Sequence, residues 1–163
     1  MKEREALIFI TCGLLFLVAL LATIIKCRKE KKKLSSLHDT VIKNDVLFKT
    51  CVQWVSLRQK GLSLVSFFHK YGYQTIAIYG MGVLGERLVD ELKESDIAIK
   101  YVIDRNAVNI ITDFDIYDMS GALPATDAIV VTAIYHFDMI EQRLKKLTNA
   151  AILSLEDIIY VTD

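Results

Sequence analysis

Residues 80–85 read Gly80-Met81-Gly82-Val83-Leu84-Gly85, so three of the chain's seven glycines fall within one GxGxxG spacing. Each glycine answers a separate physical demand. Gly80 permits a tight turn out of a strand, Gly82 lets a diphosphate come close to the backbone, and Gly85 allows a helix to pack against that strand. A helix starting at the turn aims unsatisfied N–H groups and a partial positive charge at an anion. Met81, Val83 and Leu84 would supply further backbone N–H groups, so the chemistry on offer is phosphate binding. Asp104 follows 19 residues after Gly85, at the end of an apolar run, where a carboxylate accepts hydrogen bonds from ribose hydroxyls. Arg105 beside it would suit a 2′-phosphate, which leaves NAD and NADP both open, with NAD favoured. Thr132, Tyr135 and His136, in a loop leaving the same edge of a sheet, are further candidate contacts. His136 reads equally well as an exposed loop histidine. Glu86, directly after the last glycine, is expected to face solvent, where its charge favours the helix dipole. The other reading of the whole motif is a bare tight turn in a fold that has lost its ligand.

Other chemistry is poorly represented. Cys12, Cys27 and Cys51 form no CxxC and have no neighbouring histidine, so neither a metal site nor a disulfide framework is expected. His38, His69 and His136 are scattered and make no hydrolase signature. No tyrosine has a lysine four residues later, which removes the acid-base pair of short-chain dehydrogenases and sugar epimerases. Tyr79 stands where a methyltransferase motif has an acid. No catalytic residue is assigned, and turnover by this chain alone is not expected. From Leu34 onward there are 12 basic and 17 acidic residues, which argues against a nucleic-acid partner.

The 163 residues, 53% of them hydrophobic, leave room for one modest domain beside any anchor. Residues 6–25 carry no charge and are almost wholly apolar; as a helix they would reach about 30 Å, the thickness of a bilayer core. One transmembrane helix is expected there. A cleaved signal is disfavoured, since no small-x-small site follows and a dense basic block does. Lys26, Arg28, Lys29, Lys31, Lys32 and Lys33 surround the single acid Glu30. They predict a single-pass protein with a short external N-terminus, residues 1–5, and a cytoplasmic C-terminal side. The same charges would lie against anionic headgroups.

Residues 26–45 are expected to be a basic juxtamembrane linker and residues 46–72 a helical segment. Asn44 or Asp45 would cap a helix running to about Lys60 and ended by Gly61; Ser63 would cap a shorter one stopping at Gly72. Trp54, Phe67 and Phe68 are expected in the core or on a docking surface. Residues 73–163 alternate short apolar runs with amphipathic stretches, which predicts an α/β fold. Strands are expected at 75–79, 99–104, 128–133 and 151–155, an edge strand at 113–118, and helices at 83–94 and 138–147. In a 3-2-1-4-5 order these make a shortened Rossmann-like parallel sheet, preceded by the helical segment and the transmembrane helix.

Taken together, WVSLRQKGLSLVSFFHKYGYQTIAIYGMGVLGERL, IKYVIDRN, DAIVVTAIYHFDMIEQRL and LSLEDII resemble a Rossmann-like domain of bacterial surface-polysaccharide proteins, over residues 54–159. Such domains stand beside glycosyltransferases and sugar acyltransferases. The resemblance implies binding of a nucleotide or nucleotide-sugar, with Gly80, Gly82, Gly85 and Asp104 carried over as contacts; with the NAD lean read from Asp104 and Arg105, the expected ligand is NAD or a nucleotide-sugar. It also implies an accessory or regulatory role beside a glycosyltransferase or another polysaccharide-assembly protein. The anchor directly before the domain departs from the acyltransferase arrangement, so no catalytic role is carried over. Two other functions fit the same residues. One is an NAD(H)-sensing regulatory subunit of a membrane transporter, for which a separate channel partner is needed because no pore filter is present. The other is a small oxidoreductase or epimerase completed by a partner.

Overall fold

A computed structural model describes residues 2–104 and 113–162, with side chains at 13, 17 and from 20 onward. Arg105 therefore lies outside the described residues. The chain divides into two compact units, Met1–Asp45 and Val46–Asp163.

Helix α1 spans Lys2–Gln59. The stretch expected as a juxtamembrane linker, residues 26–45, is thus helical, and Asn44 and Asp45 sit inside the helix instead of capping a new one. The physical reason is a lack of punctuation. Between Gly13 and Gly61 there is no glycine, and the single proline of the chain is Pro124, while the Lys, Arg and Glu of the basic block and Leu34 and Leu37 after it are good helix formers. Among the described residues no helix is long and apolar enough to cross a membrane. Most side chains of residues 6–25, where the transmembrane helix is expected, lie outside the described set.

The second unit contains α2 (Val65–Tyr71), β1 (Thr75–Tyr79), α3 (Val83–Leu92), β2 (Ala98–Ile103) and β3 (Ile116–Tyr117). They are followed by β4 (Ala128–Val131), a 3-10 turn at Ile134–His136, α4 (Phe137–Leu144), β5 (Ala151–Ser154) and α5 (Leu155–Val161). The five strands are parallel in the order β3-β2-β1-β4-β5, as the sequence predicts. Ile76 to Tyr79 and all of β4 are buried, the pattern of central parallel strands covered on both faces.

Alternation along the strands splits the core in two. Ile76, Ile78, Val102 and Val130 join Leu57, Phe68, Leu88 and Ile158 on one face. Ala77, Tyr101, Ile129 and Val131 join Ile140 and Leu144 on the other. The end of α1 with α2, α3 and α5 therefore covers the first face, and α4 covers the second. Trp54, Phe67 and Phe68 are all buried in the first cluster.

Three local expectations change. The edge strand is two residues long, although Asp115 O and Tyr117 O both accept ladder bonds from Val102 N–H and Asp104 N–H. Leu64, not Ser63, occupies the position before α2, while the Ser63 hydroxyl accepts the Val65 N–H at 3.3 Å. As expected, Gly72 ends α2, in the left-handed region at φ 75°. Helix α5 was not expected; its signal was Ser154 followed by Glu156 and Asp157 in the first turn.

Candidate functional site

The site is built at the carboxyl ends of β1, β2 and β4. Gly80 follows β1 with φ 95°, a conformation that side chains disfavour, and a Cβ there would come within 2.9 Å of Thr132 Oγ1. Gly80 N–H donates to Ile103 O of β2 at 2.9 Å, and the Thr132 hydroxyl donates to Gly80 O at 2.6 Å. The same Thr132 oxygen lies 3.1 Å from Tyr79 O. Neighbouring strands on both sides therefore hold the turn. A Cβ on Gly85 would overlap the carbonyl oxygen of Gly80, so α3 can pack this closely on the turn only with glycine at that position. Leu84 is buried under α3, whereas Gly82 and Val83 are exposed at its N-terminus.

Gly82 differs from its two neighbours in the motif. It precedes α3 with an ordinary extended backbone, φ −79° and ψ −167°, and a Cβ there would meet no atom within 4 Å. Neither strain nor packing calls for glycine. Glycine is favoured at a helix N-cap in its own right, and the open space beside it would also admit a bound diphosphate. No side chain caps α3 at this end, so its first N–H groups are oriented toward the same room.

Asp104, one residue beyond β2, accepts the Met81 N–H on Oδ2 at 3.0 Å. The structure thus brings together Gly80, Met81, Gly82, Val83, Leu84, Gly85, Asp104 and Thr132. Thr132 is buried and its hydroxyl is turned inward onto the glycine turn, so it positions the turn rather than facing a ligand. Tyr135 and His136 lie in the 3-10 turn after β4, at the same carboxyl edge, with their rings edge to face at 5.1 Å. Glu86 is exposed and lies 3.9 Å from Arg87, which Asp90 also holds at 3.0 Å. Beside Met81 a cleft of about 490 Å³ runs along α3 past Arg87 and Asp90 to Phe114. Among the described residues no group of three His, Cys, Asp or Glu side chains could hold a metal ion.

Sequence reasoning missed one residue that organises the unit. Glu91, on α3, accepts the Trp54 indole N–H at 2.6 Å, the Ser63 hydroxyl at 3.0 Å and the Leu64 N–H at 2.8 Å. Arg58 lies 3.6 Å from the same carboxylate, whose side chain is only 7% exposed. Its position beside Leu88 and Leu92, on the apolar side of α3, was the available signal.

The fold and site define a class: an open parallel α/β sheet with a glycine turn and a strand-terminal carboxylate where the strand order reverses. Comparison with protein-family models, curated proteins and solved structures yields no match for this chain.

Proposed function

We propose that this chain is a membrane-anchored module whose cytoplasmic domain binds NAD or a nucleotide-sugar, as an accessory or regulatory subunit in bacterial surface-polysaccharide biosynthesis. The observation that carries the binding reading is the contrast among the three glycines. Gly80 answers a backbone demand and Gly85 a packing demand, while Gly82 answers neither and leaves open space at the start of α3. In this reading the N–H groups of the turn hold the phosphates and Asp104 accepts ribose hydroxyls. Tyr135 and His136 form the rim, and no bond is made or broken by this chain. The anchor is supported by the uncharged run at 6–25 and the six basic residues that follow it. The polysaccharide setting rests on the resemblance over residues 54–159.

The test uses the full chain in detergent, with NAD, NADP and UDP-sugars titrated in native mass spectrometry. Saturable binding of one class is expected, and Gly82→Asp should abolish it while leaving the melting temperature unchanged, because a side chain at that position has room. Unaltered binding in the folded variant would remove the turn as the site. A wild-type chain that binds none of them would overturn the nucleotide reading.

One observation favours the second reading, a sensor of NAD(H) attached to a transporter. The helix that starts at the glycine turn also holds Trp54 of α1 through Glu91, so a ligand at one end of α3 is one helix away from the segment leading to the anchor. Binding of NAD and NADH with different affinities, and no binding of UDP-sugars, would select it.

A further inference from the structure

Strand β5 ends the sheet and pairs only with β4. Ala151 N–H donates to Asp127 O at 3.0 Å, toward β4, and alternate residues of a parallel strand bond to alternate sides. The N–H and C=O of Ile152 therefore turn to the side where, among the described residues, no strand lies. The run Ala151-Ile152-Leu153-Ser154 carries neither a charge nor a proline to guard that edge. A cleft of about 330 Å³, wholly within Val46–Asp163, is lined by Ile152, Leu153 and Ser154 and by residues of α2, α4 and α5. Those helices cover opposite faces of the sheet, so the cleft straddles its open edge.

The lining combines rings with acids. Phe67, Tyr71, Tyr73 and Phe137 line the cleft, and its charged lining residues among those described are Glu141 and Asp157. Tyr71 lies 4.6 Å from Phe67 and 6.4 Å from Tyr73 between ring centroids, so these three rings form one cluster. A cation is accommodated there already, since Lys70 Nζ lies 5.4 Å from the centroid of Tyr71 without lining the cleft. Lys145 holds Glu141 Oε1 at 2.7 Å, whereas Asp157 is exposed and has no ion-pair partner among the described residues. Ser154 is only 5% exposed, yet its hydroxyl makes no hydrogen bond among the described residues and does not cap α5. No polar side-chain atom of the described residues is both fully buried and unpaired, so that hydroxyl reaches solvent, and the cleft is the opening that Ser154 lines.

We propose that this cleft binds an extended, arginine-bearing peptide segment of a partner protein, which adds to the sheet as a sixth strand beside β5. The main chain of the segment would pair with the N–H and C=O of Ile152 and with the Ser154 hydroxyl. Its guanidinium plane would lie against the rings and direct N–H groups to Asp157 and Glu141. Arginine suits this lining better than lysine, because its flat, weakly hydrated head can stack on rings while its edge bonds carboxylates. A four-residue edge offers few main-chain bonds, so the side chain supplies most of the selectivity. The proposal does not rest on the nucleotide reading.

The probe is the peptide acetyl-Val-Arg-Val-amide, titrated by calorimetry into the full chain in a non-ionic detergent. Its citrulline isostere keeps the shape, loses the charge and should bind about tenfold more weakly. In the variant Glu141→Gln with Asp157→Asn the two peptides should bind within about twofold of each other, with unchanged helix content and an unchanged nucleotide titration. Methylation of the probe's main-chain nitrogens should weaken binding about fivefold, the mark of strand pairing. Binding of neither peptide overturns the proposal, and so does equal binding of both by the wild-type chain. A preference for arginine that survives in the folded double variant overturns the assignment of the carboxylates. Binding that methylation leaves unchanged overturns the sixth strand.

Discussion

The Met81 N–H donates to Asp104 Oδ2 at 3.0 Å, so the carboxylate proposed to meet a ribose is tied to the turn proposed to hold the phosphates. The two halves of the candidate site are therefore one hydrogen-bonded unit before any ligand arrives, and a ligand need not order the turn.

Asp104→Asn keeps an oxygen for the Met81 N–H and removes the charge. Hydrogen bonds to charged groups contribute about 1.5–3 kcal/mol, so NAD affinity should fall roughly 10- to 100-fold by calorimetry. The melting temperature should move little. An affinity within twofold of wild type would exclude Asp104 as a ligand contact.

Gly85→Ala places a methyl group on the Gly80 carbonyl oxygen. Backbone atoms cannot swing aside as a flexible side chain can, so α3 must shift from β1 at a cost of about 2–3 kcal/mol. Urea denaturation should show that loss, whereas Gly82→Ala, which meets no clash and exchanges a favoured cap residue for a poor one, should cost less, about 0.5–1 kcal/mol. Equal losses at the two positions would contradict the packing described for the turn.

How much of this was legible from sequence depends on the range of the interaction. The strand at 75–79 and the start of the one at 128 were readable because continuous apolar runs beside glycine and aspartate are local signals, although β4 ends at Val131, two residues short of the expected end. Asn44 and Asp45 misled because capping residues act only where a helix is interrupted, and nothing interrupts α1 there. The place of Glu91 beside Leu88 and Leu92 marks it as facing inward, but its partners Trp54, Ser63 and Leu64 lie 37, 28 and 27 residues away, beyond any local rule. Thr132 was placed at the right edge, but no local rule says which way a hydroxyl turns.

Glu91→Ala removes the acceptor for three donors at once. Leaving such groups unpaired costs about 1–3 kcal/mol each when buried; these are partly buried, so a total of about 3 kcal/mol is expected. Trp54 is the only tryptophan, and its fluorescence should shift in the folded state as its indole N–H loses its partner. An unchanged spectrum and stability would remove Glu91 from its organising role.

Asp127 should lend the fold a pH dependence on the acid side. Its carboxylate accepts the Thr75 N–H at 2.7 Å, the Thr75 hydroxyl at 2.8 Å and the Gln74 N–H at 3.0 Å. These bonds, those from Thr75 foremost, hold its carboxyl below the ordinary value of 3.8. A depressed folded value means that the stabilisation is fully present above the unfolded value and is lost as pH falls through the folded one. Asp127→Asn should flatten the decline in melting temperature below about pH 4, and a decline as steep as that of wild type would assign it to other carboxylates.

The bond from Thr132 to Gly80 joins residues 52 positions apart. At roughly 5–20 residues per second, a ribosome needs about 3–10 s to travel between them. For that interval the nascent chain carries its glycine turn without the strand and hydroxyl that brace it. The glycine turn is therefore braced late in synthesis, and a product interrupted before Thr132 would carry that turn without its brace.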